Sequence, residues 1–217
     1  MRILRLASLI IACSVLLACT TAVTRPASVE ERVTNQNSLF EEVYETGLKE
    51  HPERATAYGD YRYNDQLDDY SLAGLRGENA ADTDFLARLK AISTAGFAEQ
   101  DLLSHEVLQH TLEQHIRNYE FKEFETPVSQ LEGPQVHLAD LPLAMPFDSV
   151  KHYEDYIARL HQIPRAFNQT EEVLRQGMAD KLMPVRFLLE KIPAQCQGII
   201  TSDPFLQPAK RFPADMA

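Results

Sequence analysis

The sequence has little glycine, no tryptophan and few basic residues. Of its 217 residues 8 are glycine, which is about half of the average usage. Glycine-built phosphate loops and tight β-turns are therefore not expected, and none of the usual nucleotide or serine-hydrolase motifs occurs. The 21 Lys and Arg residues stand against 32 Asp and Glu residues, which gives a net charge of −11. This balance argues against a nucleic-acid partner, because such binding depends on cationic side chains that neutralise phosphates.

The apolar content, in contrast, is ordinary. Hydrophobic residues make up 44% of the sequence and charged residues 24%, which is typical of a globular protein and too apolar for a disordered one. A chain of this length fits one good-sized domain with a hydrophobic core of its own.

The N-terminus has the pattern of a secretory signal peptide with a lipid-attachment site. Arg2 and Arg5 come first, and about a dozen mostly apolar residues follow, too few to cross a membrane comfortably as a helix. The run ends in Leu-Leu-Ala-Cys at residues 16–19, which resembles the bacterial lipobox, where a small residue precedes the acylated cysteine. We predict a signal peptide over residues 1–18 and lipidation of Cys19. The alternative is an ordinary signal peptide with a chance cysteine.

Lipid on Cys19 would anchor the chain to the cell envelope without a membrane-spanning helix. The next residue is Thr20 rather than an aspartate, which favours the outer membrane and a domain that faces the periplasm. After the signal peptide and Cys19 only Cys196 remains, so no intramolecular disulfide is expected. The residues around Cys196 show no catalytic signature, and we predict a buried structural thiol.

Helical patterns fill most of the remaining sequence. Residues 19–32 are small and polar and predict a short tether, whereas residues 33–217 predict an all-α, irregular multi-helix domain. The first helix starts either at Ser38, which opens a capping-box pattern with Glu41, or near Ser28, and the sequence leaves both open. Further helices are predicted over residues 82–92, 101–119 and 149–161, from Pro164 to 179 and from Pro184 onward, with a structured loop at 58–71 and a proline-rich segment at 126–147.

Two groups of residues partly copy known metal sites. His105-Glu106 and His110 approach the His-Glu-x-x-His pattern of zinc peptidases, but histidines five residues apart lie about 140° apart around a helix. They cannot share a zinc ion, and we predict polar positions on a half-exposed helix. An acidic cluster copies part of a calcium loop but lacks its glycine, which predicts a solvated loop instead. Its members are Asp60, Asp65, Asp68 and Asp69.

Six short segments stand in a recognisable order and spacing. They are 39–42 (LFEE), 52–59 (PERATAYG), 67–71 (LDDYS), 127–133 (PVSQLEG), 153–160 (YEDYIARL) with 163–164 (IP), and 174–178 (LRQGM). Together they resemble the N-terminal part of the bacterial domain-of-unknown-function family 885, over about residues 36–217. Members of that family are secreted or lipid-anchored, largely helical proteins that look like zinc metallopeptidases.

The resemblance implies the N-terminal part of a larger, helical metallopeptidase-like fold. The family's His-Glu zinc-binding motif lies downstream of the matched part, and no position of this sequence corresponds to it. We therefore assign no catalytic or metal-binding residue and expect no cofactor in this chain, with zinc only in the C-terminal part that the family has. The chain is expected to be truncated at its C-terminal end and inactive alone.

Two functional hypotheses follow. The first is the N-terminal helical portion of a lipid-anchored envelope protein that resembles zinc-dependent peptidases and acts on peptides. In it, these helices would wall the substrate cleft. The second is a non-enzymatic lipoprotein whose helical domain binds a partner in the cell envelope. The sequence names no substrate-binding residue for either hypothesis.

Overall fold

A computed structural model describes residues 25–213, and all regular structure in that part is helical. The predicted all-α class is confirmed. Four long helices dominate these residues: α1 (Val29–Glu50), α3 (Leu72–Lys90), α4 (Glu99–Glu120) and α7 (Val150–Asp180). The shorter helices of the same part are α2 (Pro52–Ala57), α5 (Pro134–His137), α6 (Leu141–Ala144), α8 (Arg186–Leu189), α9 (Ile192–Ser202) and α10 (Gln207–Lys210), with 3-10 turns at Tyr61–Tyr63, Glu123–Glu125, Leu138–Asp140 and Pro204–Leu206.

The predicted signal peptide and the lipidation site at Cys19 lie outside the described residues. None of the helices within residues 25–213 combines the length and the apolar character that crossing a membrane requires.

Helix α1 begins at Val29 because Ser28 caps it. The Ser28 hydroxyl accepts a hydrogen bond from the Glu31 backbone N–H at 3.2 Å, and the Glu31 carboxylate accepts one from the Ser28 N–H at 2.6 Å. This reciprocal capping box satisfies two N–H groups that a helix start leaves open. The pattern at Ser38 is therefore coincidental, and the helix already includes residues 29–32, which their composition placed in the tether.

Helix α7 runs without interruption through Pro164. The prediction that Pro164 starts a new helix is wrong. A proline in mid-helix removes one backbone hydrogen bond, but buried side chains anchor the helix on both sides of it, with Arg159 before and Ala166 and Val173 after. The continuous helix predicted from Pro184 is not formed, since the single turn α8 ends at Leu189 and a separate helix, α9, begins at Ile192.

Two hydrophobic clusters hold the helices together. One joins α1, α3 and α4 through the buried residues Leu39, Phe85, Leu89 and Leu112. The other packs α7 against the loop that precedes α3 and against the turns around α6, through Leu67, Leu138, Leu141, Met145, Tyr156 and Ala166.

The segment from residue 182 to 213 packs less closely than the rest. Its large apolar side chains include Val185, Phe187 and Ile200, which are 56%, 61% and 70% exposed. Cys196 is partly exposed, so the prediction of a buried thiol is wrong. The reason is that α9 lies on the surface and has no fully buried residue.

Candidate functional site

A buried arginine joins α7 to α2 and the loop after it, which lie 93 to 107 residues earlier in the sequence. Arg159 of α7 is 0% exposed, and its Nε donates to the Gln66 carbonyl at 2.7 Å. Its Nη2 donates to the Thr56 hydroxyl at 2.8 Å and to the carbonyl oxygens of Pro52 and Tyr63 at 2.9 and 3.3 Å. Burial lowers the pKa of Arg159, although a guanidinium group still remains charged in a protein. The arginine thus clamps α2 and the loop after it onto α7.

A second set of polar contacts continues from this clamp. The Tyr70 hydroxyl donates to the Glu53 carboxylate at 2.8 Å, while Asp68 accepts from the Glu53 N–H and contacts His51 Nδ1, both at 3.1 Å. Burial, together with the charge of Asp68, raises the pKa of Glu53. The hydrogen bond with Asp68 raises the pKa of His51. Asp68 therefore anchors the loop, and for this residue the prediction of a solvated position is wrong.

The histidines of α4 lie in different surroundings. His105 is 5% exposed, and its Nδ1 lies 2.7 Å from Gln36 Oε1 on α1. The prediction of a half-exposed position is wrong for His105, because α1 packs over it, and burial lowers its pKa. His110 is exposed, whereas His115 Nδ1 lies 3.1 Å from Asp82 Oδ2.

These histidines do not assemble a metal site. Among residues 25–213 no three His, Cys, Asp or Glu side chains come together in a way that could hold a metal ion. The described part of the chain therefore does not fit the zinc site that the family resemblance implies.

A site lined by polar and apolar side chains lies along α3 and α4. Two adjoining cavities, of about 400 and 680 Å³, share Asn79, Tyr119 and Phe124 in their linings. Together they are termed the α3–α4 groove. One end, termed the acidic end, lies between α1, α3 and α4 and is lined by Glu50, His51, Glu78, Asp82 and His115. The other end is closed by the Glu123–Glu125 turn and by Gln176 of α7.

Three carboxylates meet at the acidic end. Glu50 is the last residue of α1, and Glu78 and Asp82 stand one turn apart on the same face of α3. Burial raises the pKa of all three. Asp82 contacts His115, whereas Glu50 and Glu78 make no ion pair with any other residue of the described part. The acidic end therefore holds two carboxylates without a close ion-pair partner, and His51 attracts both of them from nearby.

Two buried oxygen atoms of the groove also lack a hydrogen-bond partner among the described residues. They are Asn79 Oδ1, in the lining that the two cavities share, and Glu125 Oε2. Glu125 is 2% exposed, and its other oxygen lies 3.5 Å from Lys122 Nζ, which contacts Asp180 more closely. An unpaired buried acceptor is costly, roughly 1–3 kcal/mol. Both atoms would therefore gain from a group that donates hydrogen bonds.

The sequence pattern singles out none of these groove residues, although α3 contains a signal. Glu78 and Asp82 fall in the same helical phase as the buried Phe85. A carboxylate on an otherwise apolar helix face is costly to bury, and such a position is a candidate for function. Asn79 and Glu125 show no comparable signal, because they approach each other only in the tertiary structure.

Comparison with known families gives one match. The family described as "Bacterial protein of unknown function (DUF885)" matches residues 52–217, which is more than half of the chain. The chain belongs to this family. The recognition made from the six short segments is confirmed. A comparison with curated proteins finds no match.

The DUF885 segments have a clear physical role in this chain. Glu53 and Thr56 come from the segment at 52–59, Asp68 and Tyr70 from the one at 67–71, and Arg159 from the one at 153–160. These side chains are the ones that fasten α2 and its loop to α7. Three of the six segments thus contribute side chains to one partly buried polar network.

Proposed function

We propose that this chain is the helical, substrate-receiving part of a lipid-anchored cell-envelope protein of the zinc-peptidase type. The observation that supports this proposal is the α3–α4 groove, an open site whose polar groups are carried by three long helices. Sites on rigid helices position a ligand more accurately than sites on loops. Such a groove selects and orients a peptide while its cleavage takes place on other residues.

The described residues take no part in metal chemistry in this proposal. Because residues 25–213 offer no set of three metal ligands, zinc is assigned to residues outside that part. The role left to these helices is to bind the substrate and to set its direction.

Sequencing the DNA beyond the codon for Ala217 tests the peptidase part of the proposal. A downstream His-Glu-x-x-His or His-Glu-x-x-x-x-His motif is expected, and a stop codon in its place would contradict the proposal. Metal analysis and a peptide-cleavage assay of the purified chain provide a second test. We expect no stoichiometric zinc and no chelator-sensitive cleavage by this chain, and tight zinc would contradict the assignment.

The proposed anchor is a lipid on Cys19, with the domain on the periplasmic side of the outer membrane. It rests on the lipobox-like residues 16–19 and on Thr20. Cys19→Ser is expected to move the protein from the outer-membrane fraction to the periplasm, or to leave it unprocessed. Cys13→Ser is the matched control, because it changes a cysteine of the signal peptide and should fractionate as the wild type. Unchanged fractionation of Cys19→Ser would refute the anchor.

A non-enzymatic lipoprotein that binds a partner in the envelope is the second candidate. The exposed apolar side chains of the 182–213 segment favour it, because soluble proteins rarely leave large apolar patches uncovered. A stop codon directly after Ala217, with no metal motif, is the result that would select this candidate over the first.

A further inference from the structure

We infer that the α3–α4 groove binds the cationic side chain of a basic peptide, that is, the ammonium group of a lysine or the guanidinium group of an arginine. This inference rests on the proposed function, since it names the class of peptide that the same groove receives. It is argued from three observations on the groove itself.

The first observation is the unpaired negative charge of the acidic end. The cationic groups that line the acidic end are already engaged, since His51 contacts Asp68 and the Arg54 guanidinium donates to the Gly47 carbonyl at 3.1 Å. Arg76 and Lys122 line the other cavity, where Lys122 contacts Asp180. Neither Glu50 nor Glu78 has an ion-pair partner among the described residues. A cation that enters from solvent would meet carboxylates that are free to pair with it.

The second observation concerns the unpartnered acceptors, and it is independent of the charge. Asn79 Oδ1 and Glu125 Oε2 need N–H or O–H donors. A guanidinium group carries five N–H donors and an ammonium group carries three. Oxygen atoms of this kind can also bind a metal ion, but no three His, Cys, Asp or Glu side chains that could hold one come together in residues 25–213. An organic cation that donates hydrogen bonds therefore fits these acceptors.

The third observation is the apolar wall between the two ends. Tyr119 and Phe124 stack with ring centroids 4.9 Å apart and line both cavities. The alkyl stem of a lysine or arginine packs well on such a surface, and an aromatic face also attracts the cationic head. Carboxylates, donor-seeking oxygens and an aromatic wall together match a basic side chain.

Calorimetric titration of the purified full chain tests this inference at pH 7 and low salt. The probes are the blocked tripeptide acetyl-Gly-Arg-Gly-amide, the same peptide with neutral citrulline in place of arginine, and spermidine. We expect the arginine peptide to bind at least ten-fold more tightly than the citrulline peptide. Millimolar or weaker binding of the arginine peptide would overturn the inference.

Variants locate the binding in the groove. The double variant Glu78→Gln with Asp82→Asn should weaken the arginine peptide at least ten-fold, and Glu125→Gln should weaken it several-fold. Glu41→Gln is the matched control, because Glu41 is an exposed carboxylate of α1 outside the groove. This variant should bind the arginine peptide with an affinity within two-fold of the wild type. Equal affinities in the wild type and the double variant would overturn the assignment. Melting curves show that each variant is folded.

Spermidine separates the two sources of this chemistry. Spermidine binding that exceeds the peptide's affinity and is lost in the double variant would overturn the peptide assignment in favour of a polyamine. The proposed function is judged separately, by the downstream metal motif. The motif without peptide binding would refute only the groove inference, and groove-dependent peptide binding without the motif would refute only the peptidase part of the proposed function.

Discussion

Replacing Arg159 by methionine should destabilise the fold by about 3 kcal/mol. The variant keeps the aliphatic stem and removes four hydrogen bonds. The Gln66 carbonyl is left without a donor, at about 1–3 kcal/mol, and three further bonds are worth about 0.5–1.5 kcal/mol each. Thr56 and Pro52 still bond to each other, and the Tyr63 carbonyl still accepts from the Gln66 N–H. Burying an unpaired guanidinium costs several kcal/mol, and the removal of this cost offsets part of the loss.

Urea unfolding followed by circular dichroism measures this effect. A loss of about 3 kcal/mol corresponds to a melting temperature that is roughly 6–12 °C lower for a domain of this size. The control is Arg175→Met on the same helix, where the side chain is 72% exposed and pairs only with Glu171. Exposed pairs of this kind contribute about 0–1 kcal/mol. If Arg159→Met were no less stable than Arg175→Met, the role of Arg159 as a clamp would be refuted.

Four further substitutions test separate positions. A Cβ at Gly177 would lie 2.4 Å from the Glu125 carbonyl oxygen, so Gly177→Ala should cost about 1–3 kcal/mol. Gly77→Ala meets open space on α3 and should stabilise by about 0.5–1 kcal/mol in the same thermal melts. Burial raises the pKa of Glu78, so the folded state loses stability as this group ionises, and Glu78→Gln should gain stability relative to the wild type as the pH rises from about 4 to 7. Ser28→Ala should remove the α1 cap, cost about 1 kcal/mol and speed hydrogen exchange in the first turn.

Each of these tests has a contrary outcome. Gly177→Ala as stable as Gly77→Ala would mean that α7 does not approach the Glu123–Glu125 turn closely. If the difference in stability between Glu78→Gln and the wild type did not change with pH, burial would not raise the pKa of Glu78 in the folded state. If hydrogen exchange in the first turn were unchanged in Ser28→Ala, Ser28 would not cap α1, and the pattern at Ser38 would mark the start of the helix.

The features that depend on local sequence were the ones that could be predicted. Periodic apolar residues located α4 to within two residues, since 101–119 was predicted and Glu99–Glu120 is observed. The start of α1 stayed open because Ser28 and Ser38 are each followed by a glutamate at the third position. The structure decides between them, because the capping hydrogen bonds form at Ser28. The prediction of a helix start at Pro164 is wrong for a related reason, since a proline at a helix start and a proline inside a tightly packed helix look alike in sequence.

The candidate site could be predicted much less well. His105 drew attention because of its neighbour Glu106, yet it is a buried packing residue that contacts Gln36. The groove forms because α1, α3, α4 and the Glu123–Glu125 turn come together in the fold. No sequence motif predicts that they do. The DUF885 segments identified the family, but they mainly build the network under α2, and they contribute only Arg54 and Gln176 to the lining of the groove.

The length of α7 fixes the distance between two contacts that this helix makes with other parts of the molecule. Near its middle Arg159 holds α2, and near its end Gly177 lies against the turn that carries Glu125. These two contacts are about five helical turns apart. A single residue inserted between them would rotate one contact by about 100° relative to the other, and only one of the two could then form. A change of chain length between Arg159 and Gly177 is therefore expected to break one of these two contacts.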